Sequence, residues 1–163
     1  IENRTRLMFE IAQAVAGEIG AGRTGIRISP VSPANGAHDS NPQPLFEHAV
    51  ERLNGLGLAY LHVIEGATGG PRDIAPFDFA ALRRRFDGAW IGNNGYTREL
   101  ALQAVAAGTV DLVAFGRPYI FNPDLVRRLR EDAPLNQKFE DVALYGGGGA
   151  HGYTDYPTLD EAA

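Results

Sequence analysis

Two short segments carry residue types suited to an anionic ligand. Gly92-Asn93-Asn94-Gly95 combines little side-chain bulk with two amides, and Gly116-Arg117-Pro118 sets a guanidinium beside a glycine. A glycine at 116 lets the backbone approach a ligand closely, and Arg117 offers a two-pronged donor for phosphate oxygens. The plainer reading makes both segments ordinary turns, with Arg117 in water. Arg27 stands out for another reason. It lies between Ile26 and Ile28 in a short β-branched stretch, where a buried charge needs a partner. Either it faces an anion and stabilises charge developing there, or it forms a structural ion pair with Glu65.

Other chemistries find less support. His62 falls mid-strand and reads as a hydrogen-bonded core residue rather than a base. His38 and His48 have no arrangement that suggests metal binding, and His151 suits a structural or a substrate-rim role equally. No Ser/His/Asp order, paired carboxylates or metal-ligand spacing stands out. The sequence has no cysteine, which excludes disulfides, thiolate metal sites and a thiol nucleophile.

The elements that must position these residues follow two alternating hydrophobic periods. Leu7, Ile11, Val15 and Ile19 recur every four residues and share one face of a helix. Residues 25–29 are short and alternating and read as a strand ended by Pro30. Residues 41–57 read as a helix with Asn41 as N-cap and Pro42 at its first position. Residues 59–65 are a second strand, Phe79, Leu82 and Phe86 mark a third helix, and residues 89–92 are a third strand. Residues 97–107 form a fourth helix, stopped by Gly108. Residues 111–116 are the fourth strand, and Asn122-Pro123 opens a fifth helix through Leu125 and Leu129.

Strands separated by helices of this length must pair in parallel. An open doubly wound sheet and a piece of a closed barrel both satisfy the pattern. The G-x-G-x-x-G fingerprint of the first is absent, and the glycine run at 146–149 follows a helix rather than a strand. A closed (β/α)8 barrel needs eight strands and about 250 residues, whereas only four strands are legible. Four parallel strands leave two unpaired edges. The expectation is therefore a missing half, present as a second chain, a swapped copy or a proteolytic partner. In a barrel, phosphate groups favour the loops after the last two strands, which is where Gly92–Asn94 and Gly116–Arg117 fall.

Composition is that of an ordinary globular domain, with 44% hydrophobic and 21% charged residues. No apolar run is long enough to span a bilayer. The chain opens at Ile1 without a basic or apolar leader, so no secretory signal is expected. The lack of a Met there suggests an upstream segment removed or located elsewhere. Net charge is −5. The triplet Arg83-Arg84-Arg85 follows Phe79 and Leu82 at helical spacing and reads as a solvated helix face, not a nucleic-acid patch. Nucleic-acid and membrane partners are disfavoured.

Several motifs in order resemble the C-terminal half of Old Yellow Enzymes, most closely the bacterial N-ethylmaleimide, glycerol trinitrate and xenobiotic reductase branch. They are Ile1-Glu2-Asn3-Arg4 with Arg6, Arg27-Ile28-Ser29-Pro30, Ala114-Phe115-Gly116-Arg117-Pro118-Tyr119-Ile120, Asn122-Pro123-Asp124-Leu125, and Tyr145-Gly146-Gly147-Gly148 through His151-Gly152-Tyr153-Thr154-Asp155-Tyr156-Pro157. The resemblance runs along essentially the whole chain. It implies an α/β fold, the C-terminal half (four strand–helix units) of a (β/α)8 TIM barrel. Residues 1–163 would be half of one FMN-binding domain, with 133–163 as a C-terminal tail.

The resemblance further implies FMN as cofactor, NAD(P)H as reductant, and an electron-poor alkene, nitro compound or nitrate ester as substrate; the absence of cysteine fits a reducing cytoplasm. Arg27 would lie near the flavin N1/O2 edge, the Gly92-Asn93-Asn94 and Gly116-Arg117 loops would hold the phosphate, and Tyr145 would flank the flavin and substrate. The family's substrate-orienting His/Asn or His/His pair and its proton-donating Tyr come from the half before Ile1, so no catalytic residue is assigned in this half. Residues 30–40 resemble the variable substrate rim. The rival reading is a noncatalytic half-barrel that assembles with a partner, an N-terminal half or a second copy, without flavin. Another phosphate-binding barrel, such as a sugar-phosphate isomerase, lacks an evident Glu or Lys base.

Overall fold

The computed structural model describes residues 1–74, 76–140 and 149–161. The chain forms two compact units, Ile1–Ala114 and Phe115–Ala163. In the first, helix and strand alternate: α1 (Glu2–Ile19), β1 (Gly25–Ile28), α2 (Pro42–Asn54), β2 (Tyr60–Ile64), α3 (Phe79–Arg83), β3 (Ala89–Asn93), α4 (Arg98–Ala106) and β4 (Leu112–Ala114). The strands form one sheet in the order β1-β2-β3-β4, and every pair is parallel.

Side-chain alternation divides that sheet into two unlike faces. Ile28, Leu61, Val63 and Trp90 are buried in one core with Ala12 of α1, Val50 and Leu53 of α2, Leu82 of α3 and the nearby Phe86. Met8, Ala16, Phe46, Phe79 and Ala104 pack around it. Helices thus cover a single face. A doubly wound sheet has helices on both faces, so one-sided coverage marks a sector of a barrel. The opposite face carries Gly25 and Arg27, Tyr60 and His62, Ala89 and Ile91, and Leu112, in register across the sheet. Tyr60 lays its ring over Gly25, where a Cβ would stand 2.3 Å from it. Arg27, Tyr60 and Leu112 are exposed.

Several elements follow directly from local chemistry. Thr97 caps α4 by accepting from the Leu100 N–H at 3.2 Å, and Gly108 ends the turn at φ 67°. Pro42 opens α2 as expected, but the Asn41 side chain makes no cap; its own N–H donates to Asp39 Oδ1 at 2.8 Å. The apolar flank Leu7, Ile11, Val15 and Ile19 does line α1, yet it is exposed, Leu7 by 68%. The inward flank is Thr5, Met8, Ala12 and Ala16. Small residues there let α2 approach closely, and Arg52 of α2 stacks 3.7 Å above the Phe9 ring.

Strand β4 is shorter than its hydrophobic run. Asp111 accepts the Trp90 N–H through its side chain at 2.7 Å, and ladder pairing begins only at Ile91–Leu112. The arginine triplet is neutralised rather than free: Arg83 pairs with Asp111, Arg84 with Asp78, and Arg85 with Glu47 and Glu51. Among the described residues no helix is long and apolar enough to cross a membrane.

The second unit contains α5 (Arg117–Phe121) and α6 (Leu125–Glu131). Its organiser is Arg128, only 2% exposed. Arg128 donates to Asp124 Oδ1 at 2.6 Å and to the carbonyls of Pro134 and Pro157 at 2.6 and 2.9 Å. Asn136 bridges the Phe121 and Pro157 carbonyls, and the Phe139 and Tyr156 rings stack at 4.2 Å. The described parts of the tail are therefore tied to α6. The sixth helix starts later than Asn122-Pro123, because buried Asn122 spends its side chain on the Pro118 carbonyl and the Asn136 N–H.

Truncation separates the two kinds of apolar residue. Leu61→Ala, at a fully buried side chain, should cost about 2–5 kcal/mol in urea denaturation. Leu7→Ala, on the exposed flank of α1, should change stability by no more than about 0.5 kcal/mol.

Candidate cofactor-binding site

The open face of the sheet places Arg27 beside His62. The two are in direct register on adjacent parallel strands, which stand about 4.8 Å apart. Arg27 is exposed and has no hydrogen-bond or ion-pair partner among the described residues. The ion pair with Glu65 does not form. Glu65 follows Val63 in parity and turns to the helix side, where Arg72 takes its carboxylate at 2.5 Å. Arg27 is thus not a buried charge, as its apolar neighbours suggest, but a cation on an uncovered surface. His62 departs from expectation in the opposite way. Its Nε2 is buried without a hydrogen-bond partner, whereas a hydrogen-bonded core histidine was expected. Burial first, and then the charge of Arg27, push its imidazole below the ordinary value.

The loop after β3 is built by a polar cluster that the sequence did not signal. Asn94 sits at φ 104°, a strained region for a residue with a Cβ, costing of the order of 1–3 kcal/mol. Its side chain offsets this by donating to the Glu65 carbonyl at 2.6 Å and accepting from the Gly69 N–H at 3.2 Å. Arg72 donates to the Asn94 carbonyl at 2.9 Å and to the Tyr96 hydroxyl at 3.2 Å, and its guanidinium lies 4.1 Å from the Tyr96 ring centroid. The Tyr96 hydroxyl donates to Glu65 Oε2 at 2.8 Å. Burial, reinforced by the adjacent carboxylate and opposed by Arg72, raises the Tyr96 phenol above its ordinary value, so it remains a donor.

The expected phosphate-loop residues therefore play different parts. Gly92 faces the helices: a Cβ there would meet the Tyr96 hydroxyl at 2.7 Å and Val110 Cγ1 at 2.8 Å. Its glycine serves packing. Asn93 donates its amide to the Ala114 carbonyl at 2.7 Å, joining the ends of β3 and β4. The Asn94 amide is committed to the loop itself. What the loop leaves available is backbone: the N–H group of Gly95 donates to no described residue.

In the second unit Gly116 is the N-cap of α5 and Arg117 its first residue, so the segment read as a turn is the start of a short helix. Nothing lies within 4 Å of where a Gly116 Cβ would stand. Arg117 is exposed and unpaired among the described residues. Tyr145 lies outside the described residues. His151 is structural, hydrogen-bonded to Asp155 at 2.8 Å and stacked on Phe139 at 5.2 Å. A separate cavity of about 610 Å3 opens between α3 and α4 on the helix side, and none of the described expected site residues lines it.

Residues 1–136 match the NADH:flavin oxidoreductase / NADH oxidase family. The chain belongs to that family. It is 42% identical over 168 residues to putative 12-oxophytodienoate reductase 10 of Oryza sativa subsp. japonica, covering 99% of this chain and 53% of the relative. It is 41% identical over 165 residues to 12-oxophytodienoate reductase 2 of Arabidopsis thaliana, covering 100% of this chain and 44% of the relative. The solved old yellow enzyme from Trypanosoma cruzi aligns with a TM-score of 0.86 at 38% identity, over 96% of this chain and 40% of that one. The chain thus spans about half the length of the curated relatives it matches. The parallel four-strand sheet is half of an Old Yellow Enzyme (β/α)8 barrel, as its one-sided helices imply.

The residues present fit the flavin nucleotide of this NADH:flavin oxidoreductase family. Among the described residues an unpaired guanidinium stands on the open sheet face of the first unit at Arg27; within the second unit Arg117 is likewise unpaired, and open space adjoins Gly116. Anionic groups are what such unpaired donors accept.

The His62 imidazole ties stability to pH with a defined sign. Its folded value lies below the ordinary 6.5. As pH falls from about 7.5 through 6.5, the unfolded chain binds a proton that folded His62 resists, so stability declines toward acid. His62→Gln should flatten that decline, as read from urea midpoints between about pH 7.5 and 5.5.

Proposed function

We propose that this chain supplies much of the FMN site of an NAD(P)H-dependent ene-reductase, completed by the N-terminal half of the barrel. Membership of the flavin oxidoreductase family supports the cofactor, and Arg27 carries the reading: a cation unpaired among the described residues, in the middle of a sheet face shared with Tyr60, His62, Ile91 and Leu112. The chemistry that FMN supplies when bound is hydride transfer from NAD(P)H to the β-carbon of an electron-poor alkene, or reduction of nitro compounds and nitrate esters. Arg27 holds positive charge at the N1/O2 edge, where reduction makes the ring negative. The Gly92-Asn93-Asn94 segment and the Gly116-Arg117 segment are assigned to the phosphate. The relatives' names, 12-oxophytodienoate reductases, support an enone as substrate class. The lack of cysteine supports a reducing compartment, the cytoplasm.

The half-barrel has a second consequence that favours assembly. The sheet ends at β1 and β4 with unpaired edges, and its Arg27 face is uncovered. The N-terminal half of the barrel is the partner that supplies four further strands together with the substrate-orienting and proton-donating residues. If this region instead assembles without flavin, the reconstituted protein will be colourless.

Removing the Arg117 guanidinium tests the phosphate assignment. In the reconstituted protein, Arg117→Ala should weaken FMN binding by about tenfold or more, seen as loss of visible flavin absorbance after desalting. Full retention of flavin would overturn the assignment. The chain alone should reduce no enone with NADPH, and addition of the N-terminal half should restore turnover.

A further inference from the structure

The hydrogen bonds around Arg72 reach a part of the molecule that the flavin reading does not explain. Three loops meet there: Ser32 after β1, residues 65–72 after β2, and Asn94 with Tyr96 after β3. Ser32 Oγ lies 2.7 Å from the Thr68 hydroxyl and accepts the Thr68 N–H at 3.0 Å. Residues 66–72 fold back tightly, with Ala67 N–H donating to the Pro71 carbonyl at 2.9 Å. Gly66 makes that return possible, since a Cβ there would stand 2.4 Å from the Arg72 Cα. The fold-back delivers the Arg72 guanidinium to Glu65, Tyr96 and the Asn94 carbonyl.

The consequence falls on the backbone of the β3 loop. The Asn93 carbonyl accepts from the Glu65 N–H at 3.0 Å, and the Asn94 carbonyl accepts from Arg72. Both acceptors are tied inward, and the Gly95 N–H, which shares a peptide with the Asn94 carbonyl, is left with no described partner. A loop that must bind an anion through its N–H groups needs its carbonyls held away from that anion, because a rotated peptide would present negative charge instead. Only a donor long enough to reach across loops, and neutralised by a carboxylate, can do this from the helix side. Arg72 has both properties.

We propose that Arg72, fixed by Glu65 and Tyr96, is a positioning residue that locks the Asn94 peptide and so prepares the β3 loop to select a phosphorylated flavin over an unphosphorylated one. The proposal rests on the assignment of that loop to the FMN phosphate. Arg72 itself lies on the helix side of the sheet and touches no ligand; its effect passes through the Asn94 carbonyl.

The ratio of FMN to riboflavin affinity tests it, because a general loss of stability moves both ligands together. In the chain paired with its N-terminal half, R72K keeps the charge opposite Glu65 but gives up the planar fork that reaches three acceptors at once. E65Q/R72Q removes both charges and avoids an unpaired carboxylate. Each variant should weaken FMN by about tenfold while riboflavin changes less than about threefold. Y96F, which keeps the ring under Arg72 but removes one hydrogen bond, should fall between these variants and the wild type. An unchanged ratio in R72K and E65Q/R72Q, or equal losses for both flavins, would overturn the positioning role. Should the wild-type protein itself bind FMN no better than riboflavin, the phosphate assignment fails instead, which is a separate result.

Discussion

The structure depends on the burial of one face of a parallel sheet and not the other. Parallel strands ordinarily have both faces covered, and here α1 to α4 supply only the outer layer. Every unusual feature of the first unit follows from that asymmetry. Arg27 is exposed in the middle of a strand. His62 has a buried nitrogen without a partner. The edges at β1 and β4 remain unpaired. In a complete barrel the uncovered face becomes the interior, filled by layers of side chains, and the edges disappear by closure. The half-length match to the relatives and the open face are thus two views of one fact.

The sequence announced the alternating elements clearly, because period two and period 3.6 are readable from single residues. It announced their surroundings less well. The stripe of Leu7, Ile11, Val15 and Ile19 is the most hydrophobic flank of α1, yet α2 packs on the flank of Thr5, Ala12 and Ala16. Close helix approach selects small residues, which an apolar-periodicity reading undervalues. Helix α5 was hidden for a related reason: Gly-Arg-Pro suggests a turn, but proline is tolerated in the first turn of a helix. Family motifs made the flavin oxidoreductase family legible. They could not reveal Arg72, whose partners lie 7, 22 and 24 residues away and become neighbours only when two loops fold together.

Glycine and asparagine show why residue type alone does not define a role. Gly92 lies near the end of β3 and Gly116 just beyond β4, and both look like points of close ligand approach. The first is required because Tyr96 and Val110 crowd its helix side, while the second adjoins empty space. Likewise Asn93 and Asn94 look like a pair of ligand-facing amides. Each spends its side chain on main-chain groups, so the resource left for an anion is the peptide N–H rather than the carboxamide. The distinction is one of direction, set by strand parity.

Parity also sorts the charges. With a net charge of −5, carboxylates are plentiful, and on the helix side the arginines find them: Arg72 with Glu65, Arg83 with Asp111, Arg85 with Glu47 and Glu51. Glu65 points to the other face, where Arg72 takes its carboxylate, so it does not pair with Arg27. A one-residue slip would send every core side chain to the wrong face, and the sheet's packing therefore enforces the isolation of that cation. The same constraint that builds the core thus leaves Arg27 without an ion-pair partner among the described residues.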